Sequence, residues 1–229
     1  MAAMKRWRCR GVVIALLLFG AVFCHADNKS KLVSNLESGK MQTVVAYGTS
    51  LTASGAWVGQ LQATLDRRYP GKVKVINSGA DGMSSEWGVE NLDQRVIAKK
   101  PNTVFIEFAI NDAFLSYKTT VNQARRNLEN MIDRILAANP ACEIILMVMN
   151  PPLGTHLESR PNFRDYYQMY RDVARERGLP LIDHYPSWEK ILSQMPSLFK
   201  RYIPDGIHPG VQGCRMVVTP IIVKSLGID

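Results

Sequence analysis

The stretch Thr43-Val44-Val45-Ala46-Tyr47-Gly48-Thr49-Ser50-Leu51 decides the fold. Thr43 to Ala46 reads as a short buried strand. Past Ser50 come small residues, Thr52-Ala53-Ser54-Gly55-Ala56, and then an amphipathic run from Trp57 to Arg68 that reads as a helix. The carboxyl end of a first strand, just before a helix, is where open α/β sheets build their sites. The helix amino terminus beyond Ser50 offers backbone N–H groups and a partial positive charge to an anion. That suits a nucleophile whose attack creates an oxyanion. Taken alone, Ser50 reads as an N-cap or turn serine; the rest of the chain reverses that reading.

The same alternation continues in both directions. Val73-Lys74-Val75-Ile76 is a second short strand, entered through the turn Tyr69-Pro70-Gly71. Thr103 to Phe108 is a third. Val121 to Ala138 carries Leu128, Ile132, Ile135 and Leu136 at helical spacing and is stopped by Asn139-Pro140. Glu143 to Met149 is apolar on both faces, as a central parallel strand should be. Phe163 to Arg177 is a helix closed by Gly178, and Leu181-Ile182 begins a fifth strand. Trp188 to Met195 and Pro209 to Leu226 supply the last helices, with Pro220 as a kink. The βαβα pattern predicts a parallel sheet with helices on both faces. Right-handed crossovers then bring all strand carboxyl ends to one edge. The loops leaving those ends begin at Gly48, Asn77, Ala109, Asn150 and Asp183.

The amino terminus stands apart. Lys5, Arg6, Arg8 and Arg10 precede an unbroken apolar run of 13 residues, Gly11 to Phe23. This run is short for a membrane span and fits a secretory leader. Cys24-His25-Ala26 puts small residues at both cleavage-determining positions, so the expected leader is residues 1–26, cut after Ala26, with one domain over residues 27–229. Lipidation at Cys24 is the rival, and the bulky Phe23 before it weighs against that. The expected location is secreted or periplasmic, without membrane insertion after cleavage. The leader takes four of the basic residues and no acid, which lowers the net charge from +8 to +4. The remaining charges are interspersed, which excludes a nucleic-acid stripe. Asp27 to Lys40 reads as a polar lead-in helix or tail. Cys142 and Cys214 could pair in an oxidising compartment, but their apolar settings favour buried free thiols.

The chemistry-bearing clusters sit at the strand ends: Gly48-Thr49-Ser50, Asn77-Ser78-Gly79, Ala109-Ile110-Asn111-Asp112 and, later, Pro204-Asp205-Gly206-Ile207-His208-Pro209. A carboxylate beside an imidazole fixes its tautomer and stabilises the imidazolium. A serine near that imidazole becomes a usable nucleophile. The N–H of Gly79, the side-chain amide of Asn111 and the N–H of Ser50 could all face one oxyanion. Alone, each cluster has a plainer reading: Asp205-Gly206 as a turn, His208 as a surface residue, Asn111-Asp112 as a helix N-cap. His156 follows a long loop and is a candidate for the mouth of the site, while His184 reads as a packing residue. Trp57, Trp87 and Trp188 read as core, with Trp87 in a loop-like Ser84–Gly88 also a candidate wall of the site.

Together and in order, Gly48-x-Ser50, Gly79, Asn111-Asp112 and Asp205-x-x-His208 resemble the four blocks of the SGNH (GDSL-type) hydrolase superfamily, over residues 42–226. The resemblance implies a flavodoxin-like three-layer α/β/α fold with a five-stranded parallel sheet of order 2-1-3-4-5. It implies ester hydrolysis through an acyl-enzyme, with no cofactor. Ser50 would be the nucleophile, His208 the general base and Asp205 its orienting partner; Ser50, Gly79 and Asn111 would form the oxyanion hole. Two positions depart from the pattern. Thr49 stands for the aspartate of Gly-Asp-Ser, and Ala109 for the first glycine of Gly-x-Asn-Asp. The α/β-hydrolase elbow Gly-x-Ser-x-Gly is absent, because position 52 is Thr.

The expected activity is therefore an exported serine esterase releasing small acyl groups, O-acetyl foremost, from carbohydrate. A lysophospholipase or acyl thioesterase of the same superfamily is the first alternative. A non-catalytic carbohydrate-binding protein is another. A metal-dependent phosphoesterase using Asp112, Asp205, His208 and His184 is a third, although no compact His-x-x-x-His set is present.

Overall fold

The computed structural model describes residues 29–228. The expected leader, its cut after Ala26 and the rival lipid site at Cys24 lie outside the described residues. Five strands, β1 (Gln42–Gly48), β2 (Val73–Asn77), β3 (Thr103–Glu107), β4 (Glu143–Val148) and β5 (Leu181–Asp183), form one sheet. All pairings are parallel and the order is β2-β1-β3-β4-β5. The chain steps from β1 outward to β2 and returns to β3 on the other side of β1. That reversal opens a crevice beyond the carboxyl ends of β1 and β3. Gly48 pairs in register with Glu107, so the loops leaving both strands start side by side.

The eight longer helices are α1 (Lys31–Glu37), α2 (Trp57–Arg68), α3 (Ser85–Arg95), α4 (Val121–Ala138), α5 (Phe163–Arg177), α6 (Tyr185–Gln194), α7 (Pro196–Tyr202) and α8 (Thr219–Leu226). Helices α3, α4 and α5 pack side by side on one face of the sheet; α2 and α8 pack together on the other. Every residue of β3 and β4 is buried, which matches their apolar centres, residues 104–106 and 144–148. In α4, Leu128, Ile132 and Ile135 are buried together with Met131, and Leu136 is half-buried at the edge of the core. Full burial of each such side chain contributes roughly 1.5–3 kcal/mol. Trp57 is completely buried at the start of α2. Its indole N–H donates to Leu51 O (2.9 Å) and its ring meets the edge of Phe105 at 5.9 Å. The loop that carries Ser50 is thereby fastened to the core on both sides.

Three departures from the sequence reading have physical causes. Residues 84–88 are not a loop: they open α3. Gly88 lowers helix propensity there, but a Cβ at that position would sit 3.0 Å from Phe108 Cζ and 3.1 Å from Met131 Sδ. The close packing of α3 against Phe108 and α4 leaves little room for a Cβ there and outweighs the low propensity of the glycine. Helix α6 starts at Tyr185, where Asp183 Oδ1 accepts the Tyr185 N–H at 3.0 Å. The final segment is not one helix with a kink. A short turn, Val211–Gly213, runs into a π-helical stretch, Cys214–Val218, and then α8. The wider turn sits just before Pro220, where an α-helical ring would clash with the carbonyl four residues back. Cys142 and Cys214 are both free and buried.

Candidate active site

The loop after β1 is built around a close approach. A Cβ on Gly48 would lie 2.4 Å from the Glu107 carbonyl oxygen, so only glycine lets β1 end against β3. Thr49 then donates its N–H to Glu107 O (3.1 Å) and Oε2 (3.2 Å), and its hydroxyl to Oε2 (2.9 Å). Thr52 Oγ1 donates to the same oxygen at 3.3 Å. Glu107 is buried beneath the loop, and Oε1 has no partner among the described residues. Desolvation lifts its pKa to about 8, against the pull of the Thr49 and Thr52 hydrogen bonds. The carboxyl therefore holds its proton at neutral pH. Thr49, standing where the family pattern has aspartate, is matched to an uncharged partner below it. Its Oγ1 also caps the one-turn helix Ser50–Ala53 by accepting the Leu51 N–H at 3.1 Å. Ser50, the first residue of that turn, donates its N–H to no described residue.

His208 arrives from the other end of the chain. Ser50 Oγ and His208 Nε2 are 2.8 Å apart across 158 positions of sequence. His208 Nδ1 lies 2.6 Å from Asp205 Oδ2. Asp205 Oδ1 accepts the backbone N–H groups of His208 (2.8 Å) and Ile207 (3.0 Å). Desolvation would raise the Asp205 pKa, but these three hydrogen bonds and the imidazole outweigh it and hold the carboxyl at about 2. The loop is fixed by the end of β4: Asn150 Nδ2 donates to Ile207 O at 2.9 Å, and Leu153 N–H to Gly206 O at 2.8 Å. Tyr167 in α5 in turn donates its hydroxyl to Asn150 O at 2.7 Å.

The third strand end supplies Asn111, in the one-turn helix Ala109–Asp112. Ala109 takes an ordinary helical position there and needs no glycine. Asn111 Nδ2 donates to Met83 O at 3.0 Å, and its Oδ1 accepts from Arg160 Nη2 at 3.3 Å. Asp112 faces away, with Oδ1 accepting the Ser85 N–H at 2.7 Å; burial raises its pKa to about 7. It holds α3 in place.

Gly79, expected as an oxyanion donor, is not at this site. Its N–H donates to Asn77 Oδ1 at 3.1 Å, and the residue does not line the cavity. A Cβ there would lie 2.6 Å from Ala53 N, so this glycine serves a close passage against the nucleophile turn. Gly82, three residues on, does line the cavity. It has φ +69° and donates its N–H to no described residue. The Asp81-Gly82 dipeptide was the available signal, since it marks a turn with a left-handed residue. Trp87 does not line the cavity either: it lies in α3 and its ring meets that of Tyr47 in β1 at 5.8 Å, tilted by 37°. His184 is fully buried without a hydrogen-bond partner among the described residues, and burial lowers its pKa to about 3. His156 does line the cavity, with its ring 6.4 Å from that of His208.

The cavity, about 560 Å³, is an open cleft. Ser50, His208, Asp205, Gly82, Asn111 and Arg160 line it, with Phe114 and Tyr117 meeting edge to face at 5.1 Å as an aromatic wall. Tyr117 donates its hydroxyl to Gly82 O. The arrangement places the Ser50 hydroxyl within proton-transfer distance of His208 Nε2 at the edge of the cleft. Among the described residues, no three His, Cys, Asp or Glu side chains converge as a metal would need. Of the four groups of the phosphoesterase alternative, Asp205 and His208 pair with each other, whereas Asp112 binds Ser85 and His184 lies in the core.

Known proteins share this architecture. A crystal structure of a lipase/acylhydrolase from Enterococcus faecalis is 27% identical, with TM-score 0.69, covering 82% of this chain and 96% of that one. The acetylxylan esterase Axe2 of Geobacillus stearothermophilus superposes with TM-score 0.70 at 20% identity, covering 83% and 96%. A Bacillus subtilis protein described as the uncharacterized lipoprotein YqeF is 23% identical over 241 residues, 90% of this chain and 93% of its own length. The GDSL-like lipase/acylhydrolase family model matches residues 44–216, which span β1, the crevice and the Asp205–His208 loop. This chain therefore belongs to the GDSL-like lipase/acylhydrolase family and is a carboxylic ester hydrolase.

Proposed function

We propose that the protein is an exported serine esterase that removes small acyl groups, principally O-acetyl, from carbohydrate. The observation that carries this is the chain of contacts Ser50 Oγ to His208 Nε2 (2.8 Å) and His208 Nδ1 to Asp205 Oδ2 (2.6 Å). Ser50 loses its proton to His208 Nε2 as Oγ attacks the acyl carbon. The carbonyl oxygen becomes an oxyanion, received by the N–H groups of Ser50 and Gly82 and by Asn111 Nδ2. Each such donor contributes about 3–4 kcal/mol to the barrier reduction. The tetrahedral species collapses, the bond to the alcohol oxygen breaks, and His208 returns the proton to that oxygen. Water, deprotonated by His208, then attacks the acyl-Ser50 ester and releases the acid. Asp205 keeps the proton on Nδ1 throughout and stabilises the imidazolium.

The open cleft and the Phe114–Tyr117 wall support a short acyl group on a sugar-sized alcohol, since aromatic faces suit the apolar faces of sugar rings. Axe2 is described as an acetylxylan esterase, and its catalytic mutants replace a serine, an aspartate and a histidine, the last two three positions apart. Asp205 and His208 have that spacing. Export rests on the basic and apolar pattern of residues 1–26, followed by one domain over residues 27–229; the likeness to a lipoprotein agrees with it.

A panel of p-nitrophenyl esters from acetyl to palmitoyl tests the acyl preference, with acetate release from acetylated polysaccharides as the second arm. The expected result is a maximum at two to four carbons and acetate release from at least one polymer. A long-chain maximum would replace this reading with the lysophospholipase or thioesterase alternative.

A further inference from the structure

Of the charged side chains that line the cavity and that the mechanism above leaves idle, Asp81 and Arg160, only Arg160 is buried. It is only 8% exposed, and it forms no ion pair among the described residues. Burial lowers its pKa, and no carboxylate is among the groups that act on it. A buried guanidinium without a counter-charge is costly. Stacking on Phe114, with Cζ 4.6 Å from the ring centroid, offsets part of that cost. Four of its five N–H donors have fixed partners: Nε donates to Ile110 O (2.9 Å), Nη1 to His156 O and Ser159 Oγ (both 3.4 Å), and Nη2 to Asn111 Oδ1 (3.3 Å).

The last contact has a geometric consequence. A guanidinium only donates, so Asn111 must turn its oxygen toward Arg160. The Met83 carbonyl on the other side only accepts, so it must receive an Nδ2 hydrogen. These two partners exclude the flipped amide. In that flipped form, Asn111, which lines the cleft, would present oxygen lone pairs where its Nδ2 hydrogens now stand. We propose that Arg160 is a positioning residue for the acyl-transfer step: it fixes the Asn111 amide so that a donor meets the oxyanion, and it places an uncancelled positive charge behind that donor. This rests on the reading of Asn111 as an oxyanion donor. Its effect belongs to the tetrahedral species, where negative charge appears, and hardly to the neutral bound ester.

The experiment is a double-mutant cycle on p-nitrophenyl acetate with the full domain: Arg160→Met, Asn111→Ala and the pair, with Ser50→Ala as control and a melting curve for each. The expected result is a fall in kcat of about 100-fold for Arg160→Met with KM changed less than about three-fold. The double variant should be no more than about three-fold slower than Asn111→Ala, because Arg160 acts through the amide. Losses that multiply, or a loss carried by KM, would overturn the proposal. So would wild-type kcat in Arg160→Met. If that variant melts below the assay temperature, Arg160→Lys carries the test: a kcat loss confined to about ten-fold at unchanged KM supports the role, and a loss carried by KM removes it. Activity surviving in Ser50→Ala would instead remove the underlying serine-esterase reading.

Discussion

Replacing Asp205 by Asn separates the two jobs of that side chain. The amide oxygen of Asn can still accept the Ile207 and His208 N–H groups, now bound at 3.0 and 2.8 Å, so the loop should keep its shape. What changes is the atom facing His208 Nδ1, now a carboxylate oxygen at 2.6 Å. An NH2 group there donates, and the ring answers by presenting a lone pair at Nδ1. Its hydrogen then sits on Nε2, which can no longer take the proton of Ser50. The imidazolium formed during attack also loses its counter-charge. Two unit charges about 4 Å apart interact by about 4 kcal/mol at an effective dielectric of about 20. The His208 and Asp205 side chains are 42% and 48% exposed, so water screens the pair. Halving the interaction for that screening leaves about 2 kcal/mol, or roughly 30-fold in rate at 1.36 kcal/mol per decade. The wrong tautomer adds to this, and in a fully buried triad the combined loss reaches about 10⁴. Asp205→Asn should therefore lower kcat on p-nitrophenyl acetate by between about 30-fold and 10⁴-fold, with the melting temperature within about 2 °C of wild type. An unchanged melting temperature with kcat within about three-fold of wild type would refute the role assigned to the carboxylate.

Gly79→Ala is expected to act on stability. Its new Cβ meets Ala53 N at 2.6 Å, a backbone atom that must shift, at about 1–3 kcal/mol and a melting drop of roughly 2–10 °C. If kcat instead fell 100-fold with melting unchanged, Gly79 would belong to the oxyanion hole after all. Glu107 rises from 4.5 in the unfolded chain to about 8 in the native one, so the native state binds the proton more tightly. Its stabilising contribution is complete below pH 4.5 and is lost as pH climbs through 8. Melting curves of Glu107→Gln and wild type should thus diverge in favour of the variant between pH 4.5 and 8, whereas a constant gap would contradict a buried neutral carboxyl. His184 shifts the other way, from 6.5 to about 3. Its share of stability is present above pH 6.5 and disappears as pH falls toward 3. His184→Leu should flatten the loss of melting temperature between pH 6.5 and 4; parallel curves would place that acid sensitivity elsewhere.

The sheet was legible because its signals are local. β4 is an uninterrupted apolar run, α4 and α5 have clear periodicity, and Asn139-Pro140 and Gly178 close them where expected. Helix α3 was hidden because Gly88 answers to Phe108 and Met131, which are distant in sequence. At the site, Ser50, Asp205, His208 and Asn111 could be picked out because each sits beside a strand end or between prolines. Gly79 misled for a specific reason. Two glycines three positions apart, Gly79 and Gly82, serve the same loop, and only the fold shows which N–H Asn77 has taken. Glu107 and Arg160 carried no pattern at all. One reads as a strand residue and the other as a loop cation, and their meaning comes from the partners that burial gives them.

The central claim is that the Ser50 hydroxyl is activated by an imidazole 158 positions away. The most direct measurement is reaction of the protein with a fluorophosphonate, followed by peptide mass spectrometry. A single adduct on Ser50, formed at a rate that collapses in His208→Ala, is the predicted result. An adduct on any other residue, or full ester hydrolysis from protein whose Ser50 stays unlabelled, would contradict the account.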